Sequence, residues 1–256
     1  MTEMSHARPS STVILARQGR NEPELFMVQR HPQSSFGEAY AFPGGTVDPE
    51  DNAVHECCRG VSELAANSRL GVKADGLDYY SAGIRELFEE SGVLLADFER
   101  VPEGLEAARD ALNDRSDKWD AFVVRNKLEL RCDSLHYISH WITPPSFPDR
   151  YSTRFFVAAL PEGQAAVHCG GELTDSCWMT AHDVLEAGRA REISLHYPTV
   201  KSLESVARHK TFEALVDWAA SCVEWGVTTM LPVVIERDGK PEVVLPGDRD
   251  YPGYPA

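Results

Sequence analysis

Three carboxylates lie within five consecutive positions of the segment Arg-Glu-Leu-Phe-Glu-Glu-Ser-Gly-Val at residues 85–93. At ~100° per residue, a helix would place Glu86, Glu89 and Glu90 on one narrow side. Their repulsion on a surface costs only tenths of a kcal/mol per pair, and hard carboxylate oxygens suit Mg²⁺ or Mn²⁺. The segment therefore indicates a divalent-cation site. An isolated acidic run of this kind is more often a solvated helix face.

The second chemical feature is the double glycine Gly44-Gly45, which follows the apolar run 39–42 and Pro43. We predict that a strand ends there in a tight loop, since glycine permits sharp turns. A helix is predicted from about Ser81 to Ser91 and is stopped at Gly92. The loop and the helix would form one site only if the residues between them let the two segments meet in space.

The two segments together resemble the Nudix box. Residues 85–93 match its second half, Arg-Glu-apolar-x-Glu-Glu-x-Gly-apolar. Its first half, a Gly, five residues and a Glu, is resembled by Gly45 to Asp51, with Asp51 in the place of the Glu. The usual box has seven residues before its Arg, whereas Asn52 to Ile84 supplies 33, an excess of 26. A longer surface loop costs only ~0.6 kcal/mol per doubling, so an insert is predicted at about residues 52–80.

Further segments are similar to one long-insert Nudix branch, typified by the peroxisomal acyl-coenzyme A diphosphatases and their bacterial relatives. They are His-Trp-Ile-Thr-Pro-Pro at 140–145, Arg-Phe-Phe at 154–156, and Phe36 ahead of the glycine turn. The resemblance implies hydrolysis of coenzyme A or an acyl-coenzyme A to phosphopantetheine and adenosine 3′,5′-bisphosphate. Alternatives are hydrolysis of ADP-ribose, a nucleotide sugar or a dinucleoside polyphosphate. A non-catalytic Nudix-fold nucleotide sensor is the alternative outside the enzymes, although such modules typically lose the carboxylates.

The resemblance also implies roles for single residues. Glu89 and Glu90 would be the principal ligands of Mg²⁺ or Mn²⁺, and Glu86 a further ligand or the base that activates water. Arg85 would orient the carboxylates, so the expected catalytic residues are Arg85, Glu86 and Glu89. The substrate-binding candidates, which include two arginines able to pair with phosphate oxygens, are Gly44, Gly45, Arg30 and Arg154. Asp51 and Glu172 are expected as accessory acids.

Histidines offer an alternative metal site, because His136 and His140 could share one face of a strand. Two histidines alone are more often packed or exposed. A nucleophile motif such as Gly-x-Ser-x-Gly is missing from the sequence, and attack by metal-activated water needs none.

Composition narrows the choice of partners. The formal net charge of −15 repels phosphate backbones at long range, so we expect a small-molecule diphosphate substrate and no nucleic acid. A bound divalent cation would invert the potential locally. The six cysteines form no Cys-x-x-Cys pair, which favours reduced thiols in the cytoplasm. Apolar runs are too short for a membrane span.

The elements that must position these residues indicate an α/β fold. The resemblance implies an α/β/α Nudix sandwich with a mixed sheet, a helical insert within the box and a C-terminal helical extension. Residues 1–256 are predicted to form a single domain, with a core at about 10–190 and a C-terminal helix and hairpin at about 191–256. Periodicity predicts a hairpin at 12–16 and 24–29, strands at 135–142, 153–160 and 176–179, helices at 51–70, 181–187 and 199–224, and a hairpin at 231–245.

Overall fold

The fold is described from a computed structural model of the chain. The described residues are 6–30, 39–100, 102–170, 173–237 and 239–252, with the side chains of Arg30 and Lys240 excepted. Two residues named from the sequence, Phe36 and Glu172, lie outside the described residues.

A mixed sheet forms the centre of the fold, and two smaller sheets accompany it. In chain order the strands are β1 (Arg8–Arg17), β2 (Glu24–Arg30), β3 (Ala39–Ala41), β4 (Gly44–Thr46), β5 (Cys58–Arg59), β6 (Ala96–Asp97), β7 (Glu129–Arg131), β8 (His136–Ile142), β9 (Tyr151–Ala159), β10 (Leu173–Thr180), β11 (Ser194–Leu195), β12 (Thr229–Met230), β13 (Val233–Arg237) and β14 (Lys240–Val244). The central order is β11-β3-β2-β1-β9-β8-β12, with β10 paired to β2 and β4 to β1.

Helices cover both faces of this sheet. They are α1 (Pro49–Asn52), α2 (Glu63–Leu70), α3 (Gly76–Ser91), α4 (Leu105–Asn113), α5 (Trp119–Arg125), α6 (Ala181–Ala190), α7 (Tyr197–Val206) and α8 (Phe212–Trp225), with short 3₁₀ turns at His55–Cys57 and Cys132–Ser134. Among the described residues, no helix combines the length and apolar character needed to cross a bilayer.

Strand β1 shows how the layers arise. Successive side chains of a strand point to opposite faces, so Val13 and Leu15 join the apolar core under α3, whereas Ile14 and Ala16 join the core under α6, α7 and α8. All four side chains are fully buried. Because β1 pairs parallel with β9 and antiparallel with β2, the sheet is mixed. The predicted α/β/α sandwich is confirmed.

Most predicted strands are confirmed, and so is the C-terminal hairpin, in which β13 pairs antiparallel with β14. The double glycine was predicted to lie in a loop, and that was wrong. Gly44 and Gly45 belong to β4, where they pair antiparallel with Thr12 and Ser11 of β1. A strand this short has no apolar alternation that a sequence could reveal.

Two predicted helices are broken in the structure. The stretch 51–70 contains α1, a 3₁₀ turn, β5 and α2, because Gly60 takes a φ of +77° and Ser62 caps a new helix by accepting from the amide of Ala65. The long helix predicted at 199–224 is two helices, α7 and α8. Thr211 caps α8 by accepting from the amide of Ala214. In both places a side-chain cap starts a new helix within one continuous apolar pattern.

Candidate active site

Helix α3 carries the acidic trio and begins at Gly76, five residues before the predicted start. Its end is as predicted, since Gly92 adopts a φ of +74° and donates to the carbonyl of Phe88. Ile84, Leu87 and Phe88 are at most 1% exposed and pack into the core. Because that face is held against the sheet, the carboxylates of α3 lie on the side that faces β4.

The two glycines of β4 contact two members of the trio, Glu86 and Glu90, directly. The amide of Gly44 donates to Oε2 of Glu90 at 2.9 Å. A Cβ added at Gly45 would lie 2.4 Å from Oε1 of Glu86, closer than any side chain can approach. The two halves of the motif, separated in sequence by the insert, therefore meet in space. A side chain at position 45 would push the carboxylate of Glu86 aside.

Arg85 lies at the centre of this arrangement. Its Nη1 donates to Oε1 of Glu86 at 2.8 Å and to Oε2 of Glu89 at 3.3 Å. Its Nη2 donates to the carbonyl oxygen of Thr46 at 2.7 Å, at the end of β4. One guanidinium thus ties two carboxylates of α3 to the neighbouring strand. This geometry matches the orienting role that the resemblance implies.

Asp51 holds Arg85 from the other side. It is fully buried and accepts from Nε and Nη2 of Arg85 at 3.2 and 3.0 Å. The hydroxyl of Ser81 and the amide of Asp48 also donate to it, each at 2.9 Å. With both oxygens engaged inside the protein, Asp51 acts as an anchor for Arg85. This placement differs from the predicted accessory acid.

Burial controls the protonation of these groups. Desolvation raises the pKa of Glu89 to about 7, and the attraction of Arg85 opposes that rise only in part. Desolvation likewise raises the pKa values of Glu86 and Asp51, again against the attraction of Arg85. Burial would lower the pKa of Arg85, but the carboxylates around it outweigh that effect and raise it well above its usual value. Arg85 therefore stays charged.

The donor set has the chemistry of a divalent-cation site. Glu86, Glu89 and Asp51 surround a single guanidinium, and Glu90 lies on the same helix against the amide of Gly44. An ionised cluster would carry excess negative charge that a cation would neutralise. Among the described residues, no three acidic, histidine or cysteine side chains are already arranged as a set of metal ligands. Instead, the carboxylates are held by Arg85 and the amide of Gly44.

A supporting shell around α3 was missed by sequence reasoning. Arg109 and Asn113 of α4 both donate to the carbonyl oxygen of Glu89, at 2.9 and 3.0 Å. The indole nitrogen of Trp119, on α5, donates to Ser81 at 3.0 Å, behind Asp51. The sequence of residues 103–130 has the apolar spacing of a helix. It carried no signal for which polar side chains turn toward α3.

The remaining residues predicted for the site either have other contacts or lie outside the described residues. Arg154 is 5% exposed, donates to the hydroxyl of Tyr79 at 3.0 Å and stacks over its ring, so its described contacts are with packed core groups. The side chain of Arg30 and all of Glu172 lie outside the described residues. His140 contacts the hydroxyls of Thr229 and Ser152 with its two ring nitrogens. It is thus occupied by hydroxyl groups, and burial lowers its pKa to about 4.

Comparisons with known proteins bear on the same region. The family model for the NUDT19 Nudix domain matches residues 73–206. The acyl-coenzyme A diphosphatase NUDT19 of Xenopus laevis is 25% identical over 279 residues, covering 91% of this chain and 72% of that protein. The human protein of that name is 24% identical over 271 residues, covering 89% and 72%. A solved Nudix hydrolase from Alicyclobacillus acidocaldarius, 25% identical, matches with a TM-score of 0.72 over 83% of this chain and 97% of that chain.

Proposed function

The chain belongs to the Nudix family, whose model spans just over half of it, and from that premise we propose that it cleaves the diphosphate linkage of coenzyme A or an acyl-coenzyme A. Membership makes it a Nudix hydrolase acting on phosphoric anhydrides. Two features support the finer assignment. Relatives over most of the chain are named acyl-coenzyme A diphosphatases, and the box carries a long insert like that of the branch these enzymes typify.

One observation carries the proposal of catalysis: two glutamates of α3, Glu86 and Glu90, contact the glycines of β4. The Gly44 amide binds Glu90, and Gly45 leaves just enough room for the carboxylate of Glu86. Arg85 joins the trio to β4 through the carbonyl of Thr46. Nudix-fold sensors typically lose these carboxylates, whereas Glu86, Glu89 and Glu90 are all present here.

Glu89 and Glu90 are assigned as the principal ligands of Mg²⁺ or Mn²⁺. A divalent cation at this place would neutralise charge on the diphosphate oxygens and lower the pKa of a water molecule that attacks phosphorus. Glu86 either adds a ligand or accepts the proton of the attacking water at a carboxylate oxygen. Arg85 keeps the carboxylates of Glu86 and Glu89 at a fixed separation, with Asp51 fixing Arg85 in turn.

The test is turnover of the purified chain with Mg²⁺ on a panel of coenzyme A, acyl-coenzyme A, ADP-ribose and NADH. We expect coenzyme A or an acyl-coenzyme A to give adenosine 3′,5′-bisphosphate and the matching phosphopantetheine, resolved by chromatography and identified by mass. A chelator should abolish the product, and added Mg²⁺ should restore it. Preference for ADP-ribose would overturn the substrate class. Tight binding of one compound without turnover of any would favour a sensor.

A further inference from the structure

Helix α5 follows the Nudix box in sequence, yet its first residue is linked by hydrogen bonds to the guanidinium of Arg85. Nε1 of Trp119 donates to the hydroxyl of Ser81 at 3.0 Å, and that hydroxyl donates to Oδ1 of Asp51 at 2.9 Å. The same oxygen of Asp51 accepts from Nε of Arg85 at 3.2 Å. These four side chains form a relay that ends on the group holding the carboxylates of α3.

Burial and donor chemistry fix the direction of this relay. Trp119, Ser81 and Asp51 are fully buried, and Arg85 is 4% exposed. An indole N–H can only donate, so it occupies an acceptor position of the hydroxyl and leaves the hydroxyl hydrogen for the carboxylate. Removing one donor from such a buried network leaves its acceptor short of a partner. The orientation of each group therefore depends on its neighbour in the relay.

The packing of α5 places Trp119 against the side of α3 that carries Arg85. Ser81 and Phe88 are seven positions apart, about two helical turns, so they share one side of α3 with Arg85 between them. Trp119 bonds to Ser81, and Phe122 stacks on Phe88 with ring centroids 5.5 Å apart and planes 9° apart. Helix α5 is thus docked on α3 both before and after Arg85.

We propose that Trp119 is a positioning residue of the candidate active site: through Ser81 it fixes Asp51, and through Asp51 it fixes Arg85 and the carboxylates bonded to Arg85. The expected effect on turnover rests on the proposed function, whereas the effect on Arg85 does not. Outer partners of a metal site typically change metal affinity or activity about 10- to 100-fold. Because Trp119 acts through intermediate side chains, we expect an effect at the lower end of that range.

The test removes the indole N–H and nothing else. In the variant Trp119→3-benzothienylalanine, made by site-specific incorporation into the full chain, sulfur replaces the N–H group at nearly constant shape. The same replacement at Trp225, which is 85% exposed, is the matched control. Ser81→Ala removes the next group of the relay and is the second variant. Val123→Ala, at a fully buried position of α5, is the packing control because it removes apolar volume and no hydrogen bond.

The first readout is the Nε–Hε signal of Arg85 in ¹H–¹⁵N NMR of the metal-free protein, assigned from Arg85→Lys. Both relay variants should move this signal, because they change the acceptor that Nε contacts. The replacement at Trp225 and Val123→Ala should leave it in place. This readout tests the positioning role even if the unmodified protein turns over no compound of the panel, a result that would defeat only the proposed function.

The second readout is the affinity for Mn²⁺, measured by electron paramagnetic resonance of the free ion. It should fall about tenfold in both relay variants and stay within about twofold in both controls. With saturating metal, kcat for coenzyme A should also fall about tenfold in the relay variants. KM should change less than about twofold, because the buried side chains of Trp119 and Ser81 do not reach the substrate.

A double variant tests whether Trp119 acts only through Ser81. If it does, adding Ser81→Ala to Trp119→3-benzothienylalanine should give the effect of Ser81→Ala alone, since coupled residues are not additive. An unmoved Arg85 signal in both relay variants would overturn the proposal. Additive effects in the double variant would overturn it too, and so would an equal loss of Mn²⁺ affinity in Val123→Ala, which would reduce the role of Trp119 to packing.

Discussion

Arg85 and Asp51, 34 positions apart in the chain, form a two-bonded ion pair in which Nε and Nη2 of the guanidinium donate to the two carboxylate oxygens. Both side chains are almost completely buried. The pair joins the first half of the motif to the second across the insert, so it explains why the insert can leave the site intact. It also explains the shorter acid at position 51, whose oxygens are fully used inside the protein.

Replacing Asp51 tests this anchor. Asp51→Asn should lower the free energy of unfolding by about 3 kcal/mol, because it removes the buried carboxylate that accepts two bonds from the buried guanidinium of Arg85, and turnover should fall with it. Urea denaturation measures the first effect. The exposed Asp110→Asn on α4 is the control and should stay within about 0.5 kcal/mol of the unmodified protein. Equal stability of the two variants would contradict the anchoring role.

Replacing Glu90 tests the ligand assignment. Glu90→Gln removes an ionic ligand and should lower turnover at least ~100-fold with the fold intact. Steady-state kinetics with Mg²⁺ measures the effect, and thermal unfolding checks the fold. Glu106→Gln, on an exposed side chain of α4, is the control and should keep normal turnover. Near-normal activity of Glu90→Gln would show that Glu90 is not a principal metal ligand.

Gly45→Ala tests the contact between β4 and α3. The added Cβ would lie 2.4 Å from Oε1 of Glu86, so the carboxylate must move. Since that group is the end of a flexible side chain, we expect little change in melting temperature but a fall in turnover on the order of 10- to 100-fold, the effect of misplacing a reacting group by about 1 Å. Gly83→Ala on α3, whose Cβ would lie 3.2 Å from Leu135, is the control. A similar fall in both would show that the contact is unimportant.

Metal binding should depend on pH through Glu89. Because burial raises its pKa to about 7 in the metal-free protein, Mg²⁺ must displace a proton below that pH. Its affinity should therefore rise with pH through about 7 and fall by up to about tenfold per unit below it. Calorimetric titration on either side of pH 7 measures this change. Glu89→Gln should bind Mg²⁺ more weakly and with a shallower pH dependence, the remainder coming from Glu86, whose pKa burial also raises. A flat profile in the unmodified protein would rule out a ligand role for Glu89.

The raised pKa of Glu89 also affects the free energy of unfolding. Its contribution to stability falls as the pH rises, whereas its contribution to Mg²⁺ affinity increases. A carboxyl whose folded pKa lies above its ordinary value of 4.5 stabilises the fold at low pH, where both states are protonated. That contribution is lost as the pH rises through about 7. The metal-free protein should therefore lose stability from this group between about pH 4.5 and 7, and Mg²⁺ should restore it. Thermal unfolding with and without Mg²⁺ across this range measures both effects.

Arg109 should position the end of α3. Its Nε donates to the carbonyl of Glu89 at 2.9 Å and its Nη2 to that of Val167 at 2.7 Å. Arg109→Ala should lower the unfolding free energy by about 1–2 kcal/mol, the usual loss for such bonds, and should weaken Mg²⁺ binding. Faster hydrogen exchange at Gly92 would locate the effect. Arg115→Ala, whose side chain is 83% exposed, is the control. Unchanged exchange in Arg109→Ala would exclude the positioning role.

The sequence by itself determined which side chains of α3 form the site. Helical geometry requires residues spaced as Glu86, Glu89 and Glu90 are to share a side, and the apolar residues between them require the opposite side to be buried. Gly92 ends the helix as predicted because glycine takes the left-handed conformation most readily. The strands followed from periodicities that each segment carries in its own residues, whereas the sandwich was implied by the resemblance to the Nudix family.

Only the tertiary structure decided which distant groups pair. The bonds from Arg85 to Asp51 and from Arg109 to Glu89 depend on how α1 and α4 pack on α3, and no local pattern encodes that packing. The breaks near residues 60 and 207–211 arose because single caps and turns override a continuous apolar stripe. Local preferences set the elements, whereas packing between elements sets their contacts.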